Sequence, residues 1–94
     1  MVLLEATTRV KAAVLVVDDS ADYRRIFSRI LASGGFRALT AGSAEEARLI
    51  LRTSPPDAAL LDWNLPGDSG IDLAREIRRD PRLARMPLLM ISVN

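Results

Sequence analysis

The sequence contains no cysteine and no histidine among its 94 residues. The absence of cysteine excludes a disulfide framework, a thiolate zinc site and a thiol nucleophile, and it fits a reducing compartment. No apolar segment has the length of a signal peptide or a membrane span, and Glu5 interrupts the short apolar run of residues 1–4. We therefore expect a cytoplasmic protein with no membrane partner.

Aromatic residues are scarce, at 4% of the chain, whereas hydrophobic residues make up 49%. This balance suits aliphatic strands packed under helices and offers little surface on which nucleic acid bases could stack. The net charge is +1, from 13 basic and 12 acidic residues spread along the chain. No strong field attracts a phosphate backbone, so we expect no nucleic acid partner.

Short apolar runs alternate with segments of helical period along most of the chain. The predicted strands are residues 14–17, 36–40, 58–61 and 88–93. The resulting order, β-α-β-α-β-α-β, predicts an α/β fold with a doubly wound parallel sheet and right-handed crossovers. Residues 1–12 show no clear period, so we interpret them as an N-terminal arm and residues 13–94 as one domain.

Capping residues and helix breakers indicate where the three helices begin and end. Ser20 is placed to cap the first helix, and the pair at 34–35, Gly-Gly, to end it. The spacing of Ser43 and Glu46 is that of a capping box at the start of the second. The third is predicted to start after Gly70 and to end near Asp80. The apolar positions of the first helix are Tyr23, Ile26, Phe27, Ile30 and Leu31.

Two of the predicted strands end in acidic residues. Asp18 and Asp19 follow residues 14–17, and Asp62 follows residues 58–61. Since parallel strands end at the same edge of a sheet, where α/β folds bind ligands, these three carboxylates should share one rim. Keeping all three ionised requires a cation, because like charges raise one another's proton affinity. Mg²⁺ prefers oxygen ligands and is often bound by carboxylates plus a phosphate, so it is the predicted cofactor.

In this interpretation Asp62 is a nucleophile that attacks the phosphorus of a phosphoryl donor. Any one of the three aspartates alone would more often be a turn former or a helix cap. Their joint pattern favours the acidic site and leaves a purely structural cluster as the minor alternative.

From residue 14 to residue 94 the sequence resembles the receiver domain of bacterial two-component response regulators, such as the chemotaxis regulators. The resemblance implies that Asp62 is the phosphoacceptor. It also implies that Asp19 contacts the metal directly, Asp18 acts largely through water, and Asn64 contributes its backbone carbonyl to the metal. Ser92 matches the family's switch hydroxyl, which reorients toward the phosphoryl group on activation.

The resemblance further implies a flavodoxin-like fold, a histidine kinase or phosphotransfer protein as partner, and no enzymatic activity beyond self-phosphorylation and autodephosphorylation. Gly70 falls on the family's turn after the third strand, where it is expected to be needed for backbone geometry. Val93 occupies a position that usually holds a smaller residue. The chain stops at Asn94, before the family's last helix, strand and helix, and its only lysine is Lys11. The switch lysine of the family is therefore missing.

Other protein classes match the sequence less well. A haloacid-dehalogenase-type phosphatase requires a second acid where this chain has Asn64, and a dinucleotide-binding domain requires glycines that are absent from residues 18–21. A degenerate receiver that serves as a dimerisation or assembly module, without phosphotransfer, remains an alternative. Without the family's last strand, residues 88–91 become a sheet edge, so we also expect a homodimer through that edge or through the uncovered sheet face.

Overall fold

The computed structural model describes residues 11–66 and 68–92, so most of the predicted arm, Gly67, Val93 and Asn94 lie outside the described residues. The three helices are α1 (Ala21–Ser33), α2 (Ala44–Thr53) and α3 (Gly70–Arg79). The strands are β1 (Ala13–Val17), β2 (Arg37–Ala41), β3 (Ala58–Asp62), β4 (Asn64–Leu65), β5 (Asp68–Ser69) and β6 (Leu88–Ile91). Within the described part, no helix is long and apolar enough to span a membrane.

The main sheet has four parallel strands in the order β2-β1-β3-β6. This confirms the predicted α/β fold with a doubly wound parallel sheet. All five residues of β1 are buried, as its unbroken apolar run predicts for a central strand. The short antiparallel hairpin of β4 and β5 was not predicted, and it fills the turn between the third sheet strand and α3.

The two faces of the sheet are covered unequally. One face packs against α2 and α3, and its most completely buried side chains include Leu15, Leu61, Leu73 and Ile77. On the other face α1 lies against β1 and β2. The apolar period of α1 correctly predicted a helix, but no residue of that helix is buried, and Ile26 and Ile30 are 49% and 59% exposed.

The predicted caps are present, with two differences. The Ser20 hydroxyl accepts from the Tyr23 N–H, and the Ser43 hydroxyl accepts from the Glu46 N–H. The Glu46 carboxylate accepts from the N–H of Gly42 at 3.1 Å, one residue earlier than a capping box predicts.

The second difference is that β2 begins at Arg37, whereas the sequence predicted Phe36. The Phe36 N–H donates to the Leu31 carbonyl and the Gly35 N–H to the Ala32 carbonyl, which is the hydrogen-bond pattern of a Schellman motif. Gly35 has the positive φ, 88°, that this ending requires. The amide of Phe36 therefore ends α1 instead of starting the strand.

Candidate functional site

The three predicted acidic residues lie together at the carboxyl edge of the sheet. Val17 is paired in register with Leu61, so Asp18 and Asp62 come level at the ends of neighbouring strands. Asp18, Asp19 and Asp62 each have a carboxylate oxygen within 4.8 Å of the others. The strand-end pattern therefore predicted the cluster correctly.

Asp18 is the buried member of the cluster, at 3% exposure. One of its carboxylate oxygens accepts from the Ser20 N–H at 2.9 Å, and its own N–H donates to the Ala41 carbonyl at 3.1 Å. Asp19, its neighbour, is exposed. The loop after β1 thus holds one acid inside the protein and presents the next to solvent.

Asp62 is half-buried, and its pKa is raised above the ordinary value for an aspartate. Burial is the main cause, and the negative charges of Asp18 and Asp19 raise the pKa further. The Asn64 N–H, which donates to Asp62 Oδ1 at 3.3 Å, opposes this shift. A cation bound among the three acids would relieve the same repulsion.

The segment after Asp62 is fixed by backbone hydrogen bonds. The Trp63 N–H donates to the Ile91 carbonyl, and the Trp63 carbonyl accepts from the Gly70 N–H, both at 2.9 Å. Asn64 is exposed and pairs with Ser69 in the β4–β5 hairpin. The hairpin therefore holds Asn64 two residues past Asp62 at the rim of the site, and its backbone carbonyl as a metal ligand stays a prediction.

Ser92 lies at the same edge of the sheet. It is exposed and directly follows Ile91, which is paired in register with Asp62. The position that the resemblance gives to Ser92 is thus beside the acidic cluster, and its role as a switch hydroxyl stays a prediction. Val93, where the sequence departs from the family, is outside the described residues.

Two further residues, Arg24 and Gly70, contribute to the site, and of these Arg24 has no signature in the sequence pattern. Arg24 donates from Nη1 to the Asp18 carbonyl at 2.7 Å. Gly70 is buried and packs so closely against Asp62 that a side chain there would overlap the Asp62 carbonyl oxygen. The resemblance singled out Gly70, and the structure supplies the physical reason: close approach and not a positive φ, which among the described glycines only Gly35 has.

The donor set of the cluster fits a hard divalent cation. It offers carboxylate oxygens only, from Asp18, Asp19 and Asp62. Mg²⁺ prefers such ligands and keeps several waters when it binds. Because Asp19 is exposed and Asp62 half-exposed, there is access from solvent for both the ion and a phosphoryl group.

Comparison with known proteins gives a consistent result. The family model described as the response regulator receiver domain matches residues 14–94. The chain is 38% identical over 79 residues to the phosphate regulon transcriptional regulatory protein PhoB of Pseudomonas aeruginosa, covering 84% of this chain and 34% of PhoB. It is 39% identical over 80 residues to the chemotaxis protein CheY of the same organism, covering 84% of this chain and 64% of CheY.

Solved structures show the same likeness. A response regulator receiver protein from Pseudomonas putida superposes with a TM-score of 0.81 at 36% identity, covering 90% of this chain and 70% of that one. The N-terminal domain of a receiver protein from Methanoculleus marisnigri has a TM-score of 0.80 at 38% identity, with 84% and 64% covered. The chain thus spans about a third of PhoB and just under two thirds of CheY.

Proposed function

The chain belongs to the response regulator receiver domain family, and we propose that it accepts a phosphoryl group on Asp62 in the presence of Mg²⁺. The observation that carries the proposal is the cluster of three carboxylates within 4.8 Å at the carboxyl edge of the sheet. Receiver domains are signalling domains. The donor that we propose is a histidine kinase or a phosphotransfer protein of the cytoplasm.

In the proposed reaction an oxygen of the ionised Asp62 forms a bond to phosphorus while the bond from phosphorus to the donor breaks. The product is an acyl phosphate on Asp62, and the electron pair of the broken bond leaves with the donor. The Asn64 N–H, by donating to Asp62 Oδ1, orients the attacking carboxylate. Asp18, Asp19, Asp62 and the Asn64 backbone carbonyl would hold Mg²⁺, which supplies charge neutralisation on the transferring group when it is bound. Hydrolysis of the acyl phosphate would then be the only further chemistry of the chain itself.

Small-molecule phosphorylation tests this assignment. Wild-type protein treated with acetyl phosphate and Mg²⁺ should gain the mass of one phosphoryl group by intact mass spectrometry, and Asp62→Asn should gain none. Asp22→Asn is the matched control, because Asp22 is a strongly exposed aspartate on α1 whose side chain pairs with Arg25. Equal labelling of wild type and Asp62→Asn would show that the acceptor is elsewhere.

Binding of Mg²⁺ can be followed without phosphorylation. Trp63 is the only tryptophan, is 45% exposed, and adjoins Asp62. Its fluorescence should change saturably with Mg²⁺ in wild type and much less in Asp19→Ala. The alternative function, assembly without phosphotransfer, predicts no saturable change in either protein.

We also propose that the chain associates with a second copy of itself. Among the described residues β6 is an edge strand, and its Leu89 is 60% exposed. Leu88 and Met90 pack toward the core on the α2 and α3 side, so Leu89 points to the face that α1 covers only in part. Tyr23, Ile26 and Ile30 of α1 are exposed as well.

The area of this apolar surface decides how much free energy it can contribute to self-association. Four exposed apolar side chains of roughly 100 Å² each give about 400 Å² per chain, or on the order of 10 kcal/mol before entropic costs. Two copies would bury about 800 Å² from these side chains alone, somewhat below the ~1,000 Å² that a specific interface needs. Neighbouring side chains must therefore also take part.

A further inference from the structure

Arg24 ties α1 to the loop that carries the buried acid. It lies in the first turn of α1, is half-buried, and donates from Nη1 to the Asp18 backbone carbonyl at 2.7 Å. It makes this bond from a helix that has no buried residue of its own. A hydrogen bond from a charged donor is stronger than one between neutral groups. The contact is therefore a substantial part of what fixes the position of the Asp18 backbone relative to α1.

Gly42 faces the same guanidinium from the other side. A Cβ added at Gly42 would lie 3.1 Å from Arg24 Nη1 and 3.5 Å from its Cζ. The guanidinium thus occupies a narrow slot between the loop after β1 and the loop after β2. A methyl group at residue 42 would therefore crowd the guanidinium and make it shift by a few tenths of an ångström.

We infer that Arg24 is a positioning residue of the acidic site, an inference that rests on the proposed Mg²⁺ site. By holding the Asp18 carbonyl, it fixes the orientation in which Asp18 and Asp19 leave the end of β1. The carboxylates of Asp18 and Asp19 repel one another, so the loop that carries both is stabilised by a hydrogen bond from outside the loop. The adjacent Arg25 has no such role, because it pairs with Asp22 on the exposed side of the helix.

The positive charge of Arg24 and its positioning hydrogen bond have opposite effects on Mg²⁺ affinity, so a substitution of Arg24 can distinguish them. Removing a cation near the acids would tighten Mg²⁺ binding by charge alone. If Arg24 acts by position, Arg24→Ala should instead weaken Mg²⁺ binding about tenfold, the scale expected when a charge-assisted hydrogen bond is lost. Arg24→Lys, which keeps the charge and one donor group, should recover part of the loss.

Gly42→Ala is a second, independent variant. It keeps the charge of Arg24 and places a methyl group 3.1 Å from Nη1, so the guanidinium must shift by a few tenths of an ångström against its 2.7 Å hydrogen bond, and Mg²⁺ binding should weaken by less than in Arg24→Ala. The matched controls are Arg25→Ala, which removes one arginine from the same helix, and Gly34→Ala, where the added methyl group meets only ordinary contacts at 3.5 Å or more. Neither control should weaken binding.

The experiment is a Mg²⁺ titration of Trp63 fluorescence in the full chain, together with amide hydrogen exchange in the metal-free protein. The Ser20 N–H donates to Asp18 Oδ1, so its exchange should be faster in Arg24→Ala and Gly42→Ala than in wild type and the controls. Wild-type Mg²⁺ affinity and unchanged Ser20 exchange in both variants would overturn the inference. No saturable Mg²⁺ response in wild type would instead overturn the metal site, and the exchange measurement would still decide the role of Arg24.

Discussion

Replacing Gly70 by alanine tests how closely the start of α3 is packed against the acidic site. Gly70 is the first residue of α3 and is buried. A methyl group on its Cα would overlap the Asp62 carbonyl oxygen and would lie 2.9 Å from the carbonyl carbon and 3.2 Å from Met90 Cε. The end of the Met90 side chain can move away. The carbonyl cannot move alone, because it belongs to the backbone of β3, so Asp62 itself must shift.

The expected loss of stability depends on whether the added methyl group meets a movable side chain or fixed backbone. Adding a methyl group to a packed interior costs about 1 to 3 kcal/mol, and an obstacle made of backbone places Gly70→Ala at the upper end, about 3 kcal/mol. For a domain of this size the melting temperature falls by about 4 to 8 °C per kcal/mol, so we expect a decrease of roughly 10 to 25 °C.

Two other glycines provide matched controls for the same substitution. At Gly34 the added methyl group would be 3.5 Å from its nearest neighbours and φ is −87°, so Gly34→Ala should change stability little. Gly35 has open space but a φ of +88°. Its replacement should cost about 1 to 2 kcal/mol from backbone strain alone.

The assay is urea unfolding of the metal-free variants, followed by circular dichroism because Trp63 adjoins the perturbed site. The free energy of unfolding should decrease in the order wild type, Gly35→Ala, Gly70→Ala, with Gly34→Ala close to wild type. If Gly70→Ala unfolds within about 0.5 kcal/mol of Gly34→Ala, the size of effect typical of a neutral surface change, the close packing against Asp62 is refuted.

Two further predictions concern charge and association. Since the pKa of Asp62 is raised in the folded protein, protonated Asp62 contributes stability below its unfolded pKa of about 3.8, and this contribution is lost as pH rises through the folded value. Asp62→Asn should therefore melt higher than wild type at pH 7 without metal, with the difference vanishing toward pH 3; a lower melting temperature at pH 7 would contradict the raised pKa. Leu89→Lys should lower self-association in sedimentation equilibrium, and at a concentration where the wild type is monomeric it should leave the melting temperature unchanged, because Leu89 is 60% exposed. A wild-type chain that sediments as a single monomeric species from micromolar to near-millimolar concentration would rule out the dimer.

The sequence was sufficient to predict the acidic cluster because the ends of buried strands can be recognised from the sequence. An apolar run that stops at an aspartate predicts both a buried strand and the edge at which its acid lies, and Asp18, Asp19 and Asp62 came together as that rule requires. Helix ends were readable for a similar reason. Ser20 and Ser43 act through hydrogen bonds to amides only three residues away.

Features that depend on tertiary contacts could not be predicted from the sequence. Periodicity states which side chains of α1 share a side of the helix, and it does not state whether anything covers that side. Leu83 and Met86 are buried in the irregular segment before β6, where no period marks them. The bond from Arg24 to the Asp18 carbonyl leaves no pattern either, because a backbone acceptor has no sequence signature.

The weak burial of α1 has a consequence for local unfolding. A helix of 13 residues is only marginally stable by itself in water, and α1 packs on β1 and β2 without a buried residue, held also at its ends by the Ser20 cap with the Arg24 bond and by the Schellman motif at Gly35. Its opening should therefore cost less than global unfolding, and it breaks the link to Asp18 each time it occurs. Cleavage by trypsin after the exposed Arg25 or Arg29 should report that open population. Because the Arg24 bond connects α1 to Asp18, Mg²⁺ bound at the proposed site should slow this cleavage. Trypsin acting on α1 would then report whether the acidic site at the edge of the sheet holds the ion.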